Sequence, residues 1–236
     1  MSHPVLAETL SHDPFVAAHP PRGTGTGIDL RLAQLLCSRV CHDLIGAAGA
    51  IENGVDLLDE HPDDAADVRD LLGLSGRQLN RRLAFYRIAF GMSGGEDDTA
   101  SLAEARRLAG GLLDGGRVAL RWLGEGCGDR QSAASIRLVL CAVLIAAEGM
   151  VRGGTCRVTT ASGSDGVVFA IEATGRGANV SEGVLAALDP EAPLETITAR
   201  TVHAYYMARL ARRVAARLEV RHAADGFALR LTIPGA

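Results

Sequence analysis

Between Ile28 and about Asp59 the apolar residues recur at helical intervals. Ala33, Leu36, Val40, Leu44, Ala47, Ile51, Val55 and Leu58 step by 3, 4, 4, 3, 4, 4 and 3, the spacing of one face of an α-helix. The run predicts a helix of about 30 residues, roughly 45 Å long at about 1.5 Å per residue. "DEHPDD" interrupts it, with Pro62 as the stop and Asp63 or Asp64 as the N-cap of the next element. A second stripe follows through Val68, Leu71, Leu72, Ser75, Leu79, Leu83, Tyr86 and Phe90. Two long helices joined by a short loop form an antiparallel hairpin. One hairpin cannot bury two long stripes by itself. They can meet the hairpin of a second copy in a four-helix bundle, or they can pack on the C-terminal half of the same chain. Their length and continuity favour the dimer.

The pattern then changes. "GMSGGEDDT" is Gly-rich and acidic and reads as a linker, placed over 93–99. Beyond it, Ser101–Leu113, Ser132–Val151 and Thr198–Ala215 have helical patterns, and the second of these is strongly apolar. "RVALRW", "TCRVTTA", "GVVFAIEA", "RLEVRH" and "GFALRLTIP" read as strands, the last two as a hairpin. Helices interleaved with mostly neighbouring strands predict a two-layer α/β sandwich. The expected fold class is therefore α+β: a hairpin domain over 28–92, then an α/β domain over 100–236. Residues 1–27, with Pro4, Pro14 and "HPPRGTGTG", read as a flexible N-terminal tail.

Composition narrows the function classes. A net charge of −4 leaves no electrostatic footprint for nucleic acid. No secretion signal is legible at the start, and the longest apolar run, around Leu138–Ala147, is too short to span a bilayer. Five cysteines, with Cys37, Cys41, Cys141 and Cys156 inside apolar runs, suggest reduced, buried thiols in a cytosolic protein.

Candidate chemistry centres on "SRVCHDLIGAAGAI", residues 38–51. His42 lies two residues beyond Val40, about 200° around the helix, and so points away from the stripe. Its same-face neighbours include Ser38, Arg39, Ile45, Gly46 and Gly49. A mid-helix glycine costs about 0.5–1 kcal/mol relative to alanine. Glycines beside an outward imidazole clear space for another body to approach it; alternatively, they relieve helix–helix packing. Cys37 and Cys41 could share a face as metal ligands, but His42 is about 100° from Cys41, so one ion could not easily take all three.

"HDL" in a long helix, followed by a short turn, a second helix and an α/β domain, resembles the histidine-kinase core. The fuller string "LLCSRVCHDLIGAAGAIENGVDLL" resembles the ChpT-type histidine phosphotransferases of alphaproteobacterial cell-cycle relays, over about residues 28–236. The chain departs from that family at Ala47, where the family has proline, which implies a straighter helix. The nucleotide site of a kinase core is altered. The helix "IRLVLCAVLIAAEGMVRGG" has no asparagine, Ala173 of "ATGRG" stands where the adenine-reading carboxylate would be, and "LETITART" carries no glycine. The G-x-G at Gly175 and Gly177 can equally be a turn. The C-terminal domain therefore resembles a degenerate kinase ATPase domain.

The resemblance implies a phosphorelay intermediate without ATP-dependent kinase activity. His42 would accept a phosphoryl group from the receiver domain of a CckA-like hybrid histidine kinase. It would pass the group to response regulators of the CtrA-like and CpdR-like kind. Any Mg²⁺ would come with the receiver, so no cofactor is expected here. Asp43 would orient the site, or would be a solvated carboxylate. Arg39 would offset phosphate charge, or would be a surface arginine. Ser38, Ile45, Gly46 and Gly49 would form the docking face. The competing functions are an autophosphorylating kinase with an atypical ATP site and a dimeric docking scaffold.

Overall fold

The computed structural model describes residues 29–60, 63, 65–91 and 99–235. The expected tail, the Pro62 stop, the Asp64 cap and the linker up to residue 98 lie outside these residues. Helices α1 (Leu30–Glu60) and α2 (Ala65–Ala89) form the hairpin, each within two residues of its expected end. Helix α1 runs unbroken past Ala47, which is buried.

The C-terminal domain begins with β1 (Thr99–Ser101), so Thr99 belongs to a strand and not to the linker. It continues through α3 (Leu102–Leu113), β2 (Val118–Gly126), β3 (Arg130–Ser132) and α4 (Ala133–Glu148). Next come β4 (Gly154–Gly163), β5 (Gly166–Thr174), α5 (Glu182–Ala187), α6 (Val202–Arg213), β6 (Arg217–Ala223) and β7 (Gly226–Ile233). Five strands form one sheet in the order β2-β4-β5-β7-β6. β2 and β4 run parallel because α4 crosses over between them, and the remaining pairs are antiparallel. β1 and β3 make a separate antiparallel pair. The serines that end these two short strands, Ser101 and Ser132, cap α3 and α4 by accepting from the backbone N–H of Glu104 and Ser135.

Helix α4 is buried along nearly all its length, because it is apolar on every side. It lies between the sheet and the base of the hairpin, touching β5, β7, α6, α3 and α2. Burying each of its large side chains contributes about 1.5–3 kcal/mol. The expectation that the stripes pack on the C-terminal half of the same chain holds in part. At its base, Phe85, Tyr86 and Ala89 of α2 enter the core of the C-terminal domain, with Leu32, Leu35, Leu36 and Val40 of α1 packed against it. Tyr86 stacks on Phe90 at 5.5 Å between ring centroids, and Phe90 meets Tyr206 of α6 edge-on. Further out, Val55, Leu71 and Leu74 remain exposed within the single chain.

Two expectations need correction. Cys37 and Cys41 are exposed, while Cys141 and Cys156 are buried. The first pair sits between stripe positions on α1, where membership of an apolar run did not mean membership of the buried face. The strands β1 and β3 and the helix α5 were not expected. Three-residue strands and a six-residue helix carry too little periodicity to read. No helix among the described residues is long and apolar enough to cross a membrane.

Candidate functional site

His42 lies near the middle of α1 with its side chain 78% exposed. Its Nδ1 is 3.1 Å from Oδ1 of Asp43. The Asp43 side chain is only 13% exposed, which removes the expectation of a solvated carboxylate. Its other oxygen, Oδ2, accepts from Arg39 Nε at 2.6 Å and from the Tyr86 hydroxyl of α2. Arg82 of α2 donates to the Asp43 backbone carbonyl. Burial works to raise the Asp43 carboxyl, but the bonds from Tyr86, Arg39 and His42 outweigh it and hold the group below its ordinary range. The Tyr86 hydroxyl shifts upward through burial and its bond to Asp43, and stays a proton donor.

An ionised carboxylate only accepts hydrogen bonds. His42 Nδ1 is then the donor in this contact, and in the neutral ring the Nε2 lone pair lies on the exposed edge. That is an imidazole held from behind and open in front.

Arg39 is buried, at 7% exposure, so it is not a surface arginine. One turn before His42 it sits about 60° around the helix, which turns it toward the C-terminal domain. Its Nη2 donates to Glu148 at the end of α4, and its Nη1 lies 3.2 Å from Nδ1 of His203 in α6. Burial opposes its charge, but Glu148 and Asp43 hold its pKa above the ordinary value. Its donors are engaged inside the protein and do not face the exposed edge of His42.

Ser38, Ile45 and Gly46 are exposed beside His42, Ile45 at 71%. A Cβ added at Gly46 or Gly49 would meet nothing within 4 Å in this chain. Packing within the hairpin therefore does not explain these two glycines. Gly54 is different, because a Cβ there would fall 2.7 Å from Leu72 Cδ2. A cleft of about 260 Å³ opens on the buried side of Asp43, lined by Arg39, Arg82, Tyr86, Arg117 and Glu148 among others.

Sequence reasoning placed His42, Asp43 and Arg39 together, and they are together. It missed Tyr86, Glu148 and His203 as parts of the site. Tyr86 reads as one more member of an apolar stripe. Glu148 is the one carboxylate in α4, a signal that could have been used. His203 gives no sign in sequence of facing Arg39.

The altered nucleotide box also has a structural account. A Cβ at Gly175 would come 2.4 Å from the Gly153 carbonyl oxygen, so this glycine permits two backbones to touch. Gly177 has φ +70° in a turn, a conformation that favours glycine. The G-x-G pair thus serves the turn after β5, and Ala173 is buried in that strand.

Residues 102–226 match the family model described as the histidine phosphotransferase C-terminal domain. The chain is 32% identical over 196 residues to the protein phosphotransferase ChpT of Brucella abortus (strain 2308), covering 83% of this chain and 92% of that protein. It is similar in structure to a solved bacterial phosphotransferase, with a TM-score of 0.76 and 30% identity over 88% of this chain and 98% of the other. The chain belongs to the histidine phosphotransferase family, whose members carry a phosphoryl group on histidine within a phosphorelay.

Proposed function

We propose that His42 is the phosphoryl acceptor of a relay between receiver domains, working as a homodimer in the cytoplasm without ATP. The observation that carries this reading is the bond from His42 Nδ1 to Asp43 on a ring that is otherwise exposed. The Nε2 lone pair attacks the phosphorus of a receiver's aspartyl phosphate in line. The N–P bond forms as the P–O bond to the receiver's carboxylate breaks, and the leaving carboxylate keeps the bonding electrons. The ring keeps its Nδ1 proton and becomes cationic, and the Asp43 carboxylate stabilises that charge. The reverse sequence on a second receiver discharges the histidine. Catalysis of this kind rests on positioning and charge. The Mg²⁺ belongs to the receiver.

Asp43 orients the imidazole, and Arg39 acts through Asp43 and not on the phosphate. Ser38, Ile45, Gly46 and Gly49 form the face on which a receiver docks, with the two glycines letting it approach the ring. The donor is the receiver of a CckA-like hybrid kinase, and the acceptors are CtrA-like and CpdR-like response regulators. The resemblance over the His42 helix supports those names. The apolar side chains left exposed on the outer hairpin support the dimer.

Replacement of the nucleophile tests the reading. His42→Ala removes an exposed side chain, so the variant is expected to melt with the parent while taking no label from a phosphorylated receiver. Uptake at the parent rate would move the acceptor to another residue.

A further inference from the structure

Four side chains from three helices converge on Arg39 and Asp43 from behind the ring, and two of them come from the C-terminal domain. Arg39 Nε donates to Asp43, Nη2 to Glu148, and Nη1 toward His203 Nδ1 and, at 3.5 Å, the Arg200 carbonyl. His203 is fully buried. For its Nδ1 to accept from a guanidinium, the ring must be neutral with its proton on Nε2. That nitrogen lies 3.3 Å from Glu148 Oε2, close to it though not aligned as a hydrogen bond. Burial and the Arg39 charge push the His203 pKa down to about 3, which keeps the ring neutral at any ordinary pH. The direction of the Arg39 guanidinium is thereby fixed at every nitrogen. With Tyr86, it fixes which Asp43 oxygen is left for His42.

We infer that Glu148 and His203 are positioning residues for phosphoryl transfer: through Arg39 they hold the Asp43 carboxylate so that His42 keeps its proton on Nδ1 and presents Nε2. The degenerate ATPase-like domain thus has a task in the reaction although it need bind no nucleotide. Its α4 and α6 complete the site on α1. The inference rests on the phosphoacceptor reading of His42. It goes further by giving the C-terminal domain a part in setting the ring's tautomer.

The test uses the full chain with Glu148→Ala, Glu148→Gln and His203→Gln. Two quantities are read beside the melting temperature. One is the His42 tautomer, from ¹⁵N chemical shifts of the ring nitrogens. The other is the rate at which His42 is labelled by phosphoramidate, a small donor that needs no docking. Glu148→Ala should lower the share of rings with the proton on Nδ1 and slow labelling about ten-fold, the lower end of what loss of an orienting partner does at metal-bound histidines. Glu148→Gln keeps an oxygen that can accept from Arg39 Nη2 and should restore most of both. His203→Gln keeps an acceptor on α6 and should fall between them. A parent-like tautomer in Glu148→Ala overturns the inference whatever the melting temperature does. So does equal slowing in both Glu148 variants with the tautomer unchanged. If Glu148→Ala does not fold, a tautomer change in His203→Gln supports the inference and its absence overturns it. If the parent takes no label from a phosphorylated receiver, the phosphoacceptor reading fails, and the tautomer still decides whether Glu148 and His203 act on the ring.

Discussion

A histidine on the surface of a helix is chemically ordinary until something decides which nitrogen holds the proton. Here that decision falls to Asp43, itself held by Tyr86 and Arg39. Asp43→Asn keeps the shape but loses the charge that stabilises a cationic ring, and the amide can present its NH₂ instead of an acceptor. Transfer should fall by about two orders of magnitude or more, where neutralising the carboxylate behind a serine-protease histidine costs about four. A rate within a factor of three of the parent would remove Asp43 from the mechanism. The same substitution carries a pH signature. The folded-state value of Asp43 is depressed, so its contribution to stability is present above the unfolded value of about 4 and is lost as pH falls through the folded value. The melting difference between parent and Asp43→Asn should therefore shrink as the pH falls below about 4. The His42–Asp43 pair was legible in the sequence because its spacing and its glycine neighbours are local. The contacts of Arg39 with Glu148 and His203 were not, because they join positions 109 and 164 residues apart.

At the scale of the element, α1 carries two kinds of glycine. Gly46 opens onto space, and Gly54 lies against Leu72. Leucine at position 46 should raise helix propensity by up to about 1 kcal/mol and so keep or raise the melting temperature. It should also cut transfer from a phospho-receiver while sparing labelling by phosphoramidate. Gly54→Leu should do the reverse, destabilising by about 1–3 kcal/mol through overpacking with less effect on docking. Equal transfer in parent and Gly46→Leu would show that the small face admits no partner, and a large loss of stability there would make it a packing residue. Periodicity alone predicted both long helices, all five strands of the sheet and three of the four helices of the C-terminal domain. It failed on β1, β3 and α5, which are too short for a period to repeat enough times to be read. It also failed to divide the hairpin stripes between the C-terminal domain and the outer surface. That division depends on where the domain folds back, which the local spacing of apolar residues does not contain.

For the whole molecule, the exposed leucines of the outer hairpin ask for a partner. Leu71 and Leu74 are 43% and 61% exposed and lie about one turn apart on α2. Sedimentation should give a dimer for the parent and a monomer for the Leu71→Glu/Leu74→Glu variant. A monomeric parent would contradict the bundle. The central claim is that this chain moves a phosphoryl group between receivers through His42 without nucleotide, and one experiment addresses it directly. The purified chain is mixed, in nucleotide-free buffer, with a ³²P-phosphorylated receiver domain of a hybrid kinase, and a response-regulator receiver is added afterwards. The label is expected to leave the first receiver, appear on the chain as acid-labile phosphohistidine at position 42, and then move to the second receiver. Label that never reaches the chain, or that reaches it on another residue, would contradict the account.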